Sequence, residues 1–162
     1  MSDYETTRLD QRAADVVRLG VIEQARYANP PQARVRLEDG YLSTWLRMAP
    51  PRTTPDAAWW PFEVGEEVIT LFPSGNLEKG VILASLYNGV NIAKAASADL
   101  SRIDYGDGSH IAHDRTSGAM TLHAAGPVTI EAGGEITIKA AADIAIEAGG
   151  NIKINGTRID LN

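Results

Sequence analysis

From about residue 118 onward the chain repeats every eight residues. Met120, Val128, Ile136, Ile144 and Ile152 fill one column of the repeat; Leu122, Ile130, Ile138, Ile146 and Ile154 fill another, two residues further on. Between the columns stand Thr121, Thr129, Thr137, Ala145 and Lys153. After the apolar pairs come small-residue corners: Ala125-Gly126, Gly133-Gly134, Ala141-Ala142 and Gly149-Gly150. The order apolar, polar, apolar is that of an extended strand, with two side chains on one face and the middle one on the other. At the corners the chain changes direction, where glycine permits a positive φ and a larger residue would crowd the adjacent wall.

One chain cannot bury such a pattern by itself. Each short strand brings only two inward aliphatic side chains, against a backbone ordering cost of roughly 1–2 kcal/mol per residue. Solenoids solve the problem by stacking repeats, but their repeats commonly take about twenty residues or more. If three chains wind around one axis, each octad supplies one wall of a triangular prism and every ladder bond is made to a neighbouring chain. The predicted structure is therefore an intertwined, triple-stranded β-helix, a homotrimer. Its core is Met120, Leu122, Val128, Ile130, Ile136, Ile138, Ile144, Ile146, Ile152 and Ile154, joined by Ile159 and Leu161. Its corners are Gly126, Gly133, Gly134, Ala141, Ala142, Gly149 and Gly150. Walls spaced by about 4.8 Å give a needle on the order of 25–30 Å long. Ile159 and Leu161 fall seven residues after Ile152 and Ile154, so the last wall is out of step and the prism is expected to taper or close there. Thr121, Thr129, Thr137, Glu131, Glu135, Lys139, Asp143 and Glu147 are expected on the outer face.

Residues 16–92 follow a different rule. Strands are predicted at 16–23, 33–37, 41–46, 67–72 and 80–87, with a turn at Glu38-Asp39-Gly40 and a second hairpin around Pro73-Ser74-Gly75-Asn76. Five short strands in fewer than eighty residues predict a small closed barrel of OB-fold type, because closure removes the exposed edges. The fold class is therefore all-β, an N-terminal OB-fold barrel followed by the C-terminal β-helix. Residues 1–15 are a polar arm or short helix, with Leu9, Ala13, Val16 and Val17 near helical spacing. Residues 93–117 are a linker and the first strands of the stalk. The Pro-rich stretch Met48 to Pro61 is a loop. Its adjacent Trp59 and Trp60 would point opposite ways, so one is expected to plug a barrel end or meet another subunit rather than to bind a ligand.

Charge and composition narrow the partners. The net charge of -6 over 162 residues argues against nucleic acid, which is usually met by a basic surface. With no cysteine there are neither disulfides nor thiolate metal sites. The N-terminus lacks a secretory pattern and no stretch approaches the length of a membrane span, so folding in the cytoplasm is expected.

The Gly65-Glu66-Glu67-Val68-Ile69-Thr70-Leu71 and Gly80-Val81-Ile82-Leu83-Ala84-Ser85-Leu86-Tyr87-Asn88 strands come first, then Tyr105-Gly106-Asp107-Gly108-Ser109-His110, then the octads. This order resembles the central spike, the baseplate assembly protein V family, of contractile-tailed phages and R-type pyocins. More distantly it is similar to the spike of type VI secretion. The resemblance implies a homotrimer at the tube end beneath a baseplate hub protein. It also implies a virion or bacteriocin tail-tip location and a needle driven through the bacterial outer membrane. Such phage spikes often hold an iron ion at the apex with a His-x-His pair from each chain. Here the residues from Asn155 onward contain no histidine, so that cofactor is not expected, and an alternative is an adaptor whose tip receives a separate cap protein, as in secretion systems.

Chemistry elsewhere in the chain is sparse. His110 and His113 lie three apart and face opposite sides of a strand, and His123 follows inward-facing Leu122, so surface positions are expected for all three. Asp104, Asp107 and Asp114 have loosely calcium-like spacing, but Asp107-Gly108-Ser109 reads as a turn. The linker from Asn88 to Asp104 leaves no room for an inserted lysozyme domain, and no hydrolase, phosphate-loop or zinc-protease motif is present. The expected action is mechanical, not enzymatic.

Overall fold

The computed structural model describes residues 3–160. A helix, α1 (Asp3–Ala14), leads directly into five strands: β1 (Val17–Arg26), β2 (Gln32–Leu37), β3 (Leu46–Met48), β4 (Glu67–Leu71) and β5 (Val81–Leu86). They form a closed barrel in the order β1-β2-β3-β5-β4, in which β3 and β5 run parallel and the other pairs antiparallel. The all-β, OB-like expectation holds here. Closure depends on β1 serving two partners. Val17–Val21 pairs with β4, Gly20–Arg26 pairs with β2, and an irregularity between Ile22 and Gln24 bends the strand between them.

Alternation explains the core. In β2, Ala33, Val35 and Leu37 point inward while the arginines between them face out. Ile22, Leu46, Met48, Val68, Phe72 and Ile82 complete the buried cluster. The two buried polar residues are satisfied: the Thr70 hydroxyl donates to the Arg18 carbonyl at 2.8 Å, and Ser43 bonds to the β2 backbone.

Ser43 also explains why the strand expected at 41–46 does not form. The Glu38-Asp39-Gly40 turn is made and Leu42 forms one bridge to Arg36. The Val35 N–H, however, donates to the Ser43 side-chain oxygen at 2.9 Å, and the Ser43 carbonyl instead accepts from the Arg34 guanidinium at 2.8 Å. The side chain has taken the place of a ladder carbonyl, so regular pairing resumes only at Leu46.

The expectation that one tryptophan plugs the barrel is corrected. Trp59 and Trp60 are 64% and 63% exposed, so neither plugs the barrel. The buried aromatic is instead Phe72, part of the core cluster, and its ring leaves so little room that a Cβ on Gly80 would lie 2.5 Å from it. The turn Pro73–Gly75 then carries α1: a Cβ on Gly75, whose φ is 66°, would lie 2.3 Å from the Arg12 carbonyl. Leu9 of α1 is exposed.

Asn88 and Asn91 tie the outgoing chain to the barrel. The Asn88 amide donates to Glu67 at 2.8 Å and the Asn91 amide to the Gly65 carbonyl at 3.0 Å. Beyond them, β6 (Leu100–Asp104), β7 (His110–Asp114) and β8 (Met120–His123) form an antiparallel meander. Trp60 stacks on Tyr105 with ring centroids 5.9 Å apart, bridging barrel and meander beside an open cleft of about 760 Å³.

Candidate functional site: the octad stripe

The octads extend from β8 without forming a further strand among the described residues. The backbone bends at 125–126, 133–134, 141–142 and 149–150, the positions of the small-residue corners. No backbone hydrogen bond is made within residues 126–160 among those described. Each extended segment therefore presents both edges unpaired.

Side chains sort as the alternation requires. Thr137 donates to the Glu135 carboxylate at 3.1 Å, and the Arg158 guanidinium to Asp160 at 2.9 Å, so these i, i+2 pairs share a face. Ile136, Ile138 and Ile159 take the opposite one. The described aliphatic residues of the two octad columns, together with Ile159, are 48–77% exposed. Leu161 lies outside the described residues. Burying each such side chain would be worth roughly 1.5–3 kcal/mol, none of which a lone chain collects. The whole chain exposes 12972 Å², against about 7,900 Å² for a compact monomer of its mass.

The corner glycines behave differently from the expectation of a positive φ. Gly126, Gly133, Gly134, Gly149 and Gly150 all lie outside the left-handed region, and a Cβ on any of them would meet nothing within 4 Å. Nothing within a single chain requires glycine at these corners.

The acidic residues of the meander serve its turns and ion pairs. Asp107 accepts from the Ser109 N–H at 2.9 Å, and Asp114 from the Thr116 and Ser117 N–H groups. These backbone bonds hold both carboxyls below the ordinary aspartate range. Asp104 is lowered by its hydrogen-bonded pairing with Arg102 at 2.7 Å. His110 and His113 do face opposite sides of β7, but His110 stacks on His123 across the sheet at 5.1 Å. That contact follows from the β7–β8 register, which the sequence alone does not reveal. All three histidines lie in the meander, and Asp160 is held by Arg158, so the described residues beyond the octads do not fit an imidazole-bound ion.

Residues 18–87, spanning nearly the whole barrel, match the family profile described as type VI secretion system/phage-baseplate injector OB domain. A particular relative extends the likeness beyond the barrel. The spike protein of Escherichia phage P2 is 29% identical to this chain over 109 residues, covering 67% of this chain and 50% of the relative. The chain thus spans about half the length of the curated relative it matches.

Proposed function

We propose that this protein is the central spike of a contractile injection tail, of a phage or an R-type pyocin. Three copies share one β-helical needle that pierces the bacterial outer membrane mechanically. The observation that carries the reading is the octad stripe, with two regular columns of aliphatic side chains and both strand edges unsatisfied in a single chain. Three-fold winding satisfies both at once, because each edge gains a partner and each column a shared core. The corner glycines then have a reason that one chain lacks, the close approach of neighbouring walls. The injector-family barrel and the likeness to a phage spike protein support placement at the tube end beneath a hub protein.

The sheath supplies the work and the needle supplies stiffness. Bending a closed prism breaks several interchain ladder bonds together, whereas an open strand bends freely. The outer Thr and charged residues keep the needle soluble before firing. Particles assembled with a spike lacking residues 118–162 should lose infection or killing. Full activity of such particles would overturn the piercing role.

A further inference from the structure

Register across the meander joins two histidines that lie far apart along the chain. Asp104 of β6 pairs with His110 of β7, and His110 pairs directly with His123 of β8. Directly paired residues of an antiparallel sheet project to the same side, so these three share one face. Arg102 and Thr121 lie on it too, whereas His113 faces away with Ile103, Ile111 and Leu122. The histidine face is polar and open to solvent: His110 is half-buried and His123 exposed.

The two rings stack with centroids 5.1 Å apart and planes 25° from parallel. Imidazoles that share one ion through nitrogens at about 2.0–2.1 Å, at roughly right or tetrahedral angles, have centroids about 4.5–5.2 Å apart. The pair thus stands at the separation of a chelate, and a turn of each ring about its Cβ–Cγ bond would aim both Nε2 atoms at one point. One tautomer is set as well. The His110 Nδ1 lies 3.3 Å from the Gly108 carbonyl, which can only accept. In the neutral ring Nδ1 therefore carries the proton, and the Nε2 lone pair is left free for a ligand bond.

The neighbouring carboxylates are engaged elsewhere. Asp104 is held by Arg102 at 2.7 Å, and Asp107 accepts from the Ser109 N–H at 2.9 Å. Among the described residues no group of three or more His, Cys, Asp or Glu could hold an ion, so water would complete the coordination of any ion held by the pair.

From this we infer that His110 and His123 form a surface site for a transition-metal dication of the zinc, nickel or copper kind, which fastens β8 to β7. Imidazole nitrogen suits these ions, whereas calcium and magnesium take oxygen ligands and would pass the site by. β8 has only 4 residues and pairs with β7 alone, so a bridge at its last residue holds the strand where the chain leaves for the octads. Both ligands come from one chain, and Leu122 of the aliphatic columns points to the other face. The site is therefore independent of the spike reading.

Calorimetric titration of the full-length protein with zinc, in a buffer that does not chelate, tests it. One ion per chain is expected, bound in the micromolar range. His110→Gln and His123→Gln should each weaken binding by at least about tenfold, and the double variant should be no worse than either, because a chelate is lost with its first ligand. His113→Gln, on the opposite face, should bind like the parent. An equal loss in His113→Gln, undiminished binding in either of the other single variants, or binding at millimolar zinc only would overturn the inference. The unaltered protein gives a second readout that no substitution can disturb. On adding zinc, the ring resonances of His110 and His123 should shift while those of His113 stay in place, and an equal response of all three would overturn the inference.

Discussion

The barrel and the octad stripe are both built from alternating strands, yet one is complete within a single chain and the other is not. In the barrel every inward position meets another inward position of the same chain, and five strands close without a free edge. In the octads the alternation is more regular, but the aliphatic columns face solvent and the ladder has no partner. Regularity of pattern is therefore no measure of self-sufficiency. A strand becomes a stable element where its edges and its apolar face are both answered, and within a single chain the octads answer neither.

The contrast can be broken most severely in the stripe. In the proposed trimer Ile138→Asp would place three carboxylates at one level of a narrow shared core, and burying such charges unpaired costs several kcal/mol each. Loss of the trimer is expected in light scattering, while the circular dichroism of the barrel persists.

A smaller effect is expected inside the barrel. Phe72→Ala leaves a cavity at the centre of the closed sheet and should lower barrel stability by about 3–5 kcal/mol in denaturant titration. Gly80→Ala tests the same packing from the other side. Its new Cβ, 2.5 Å from the Phe72 ring, should cost about 1–3 kcal/mol. Loss of the trimeric mass on either change would deny the two regions their independence.

The least effect comes from surface charge. The Arg18 guanidinium donates to Asp39 at 2.8 Å and, with the Tyr41 N–H, holds that carboxyl below its ordinary range. A depressed folded pKa stabilises at pH above the unfolded value, about 3.9, and the contribution is lost as pH falls through the folded pKa. The melting temperature of the barrel should thus fall below about pH 4, with Asp39→Asn removing a small, salt-sensitive part of that slope.

Much of the barrel was legible because burial follows a period of two: Ala33, Val35 and Leu37 announce an inward face. The third strand was misplaced because Ser43 substitutes a side-chain oxygen for a ladder carbonyl, a choice that propensity does not register. One of Trp59 and Trp60 was expected to plug a barrel end, because adjacent residues of an extended chain point opposite ways, but the Pro-rich loop holds both outside and the buried aromatic is Phe72. The octad bends were readable from the small-residue corners. That Ile103 and Ile111 share a face with Leu122 was not, because they stand outside the repeat and meet it only through sheet register. The period-two pairs Ser101/Ile103 and Ile111/His113, flanking the Asp107-Gly108 turn, were the signal available.

The most direct measurement is the molar mass of the intact protein in solution by light scattering. A shared needle predicts three times the chain mass of 17.4 kDa, unchanged on moderate dilution. A mass of 17.4 kDa would contradict it.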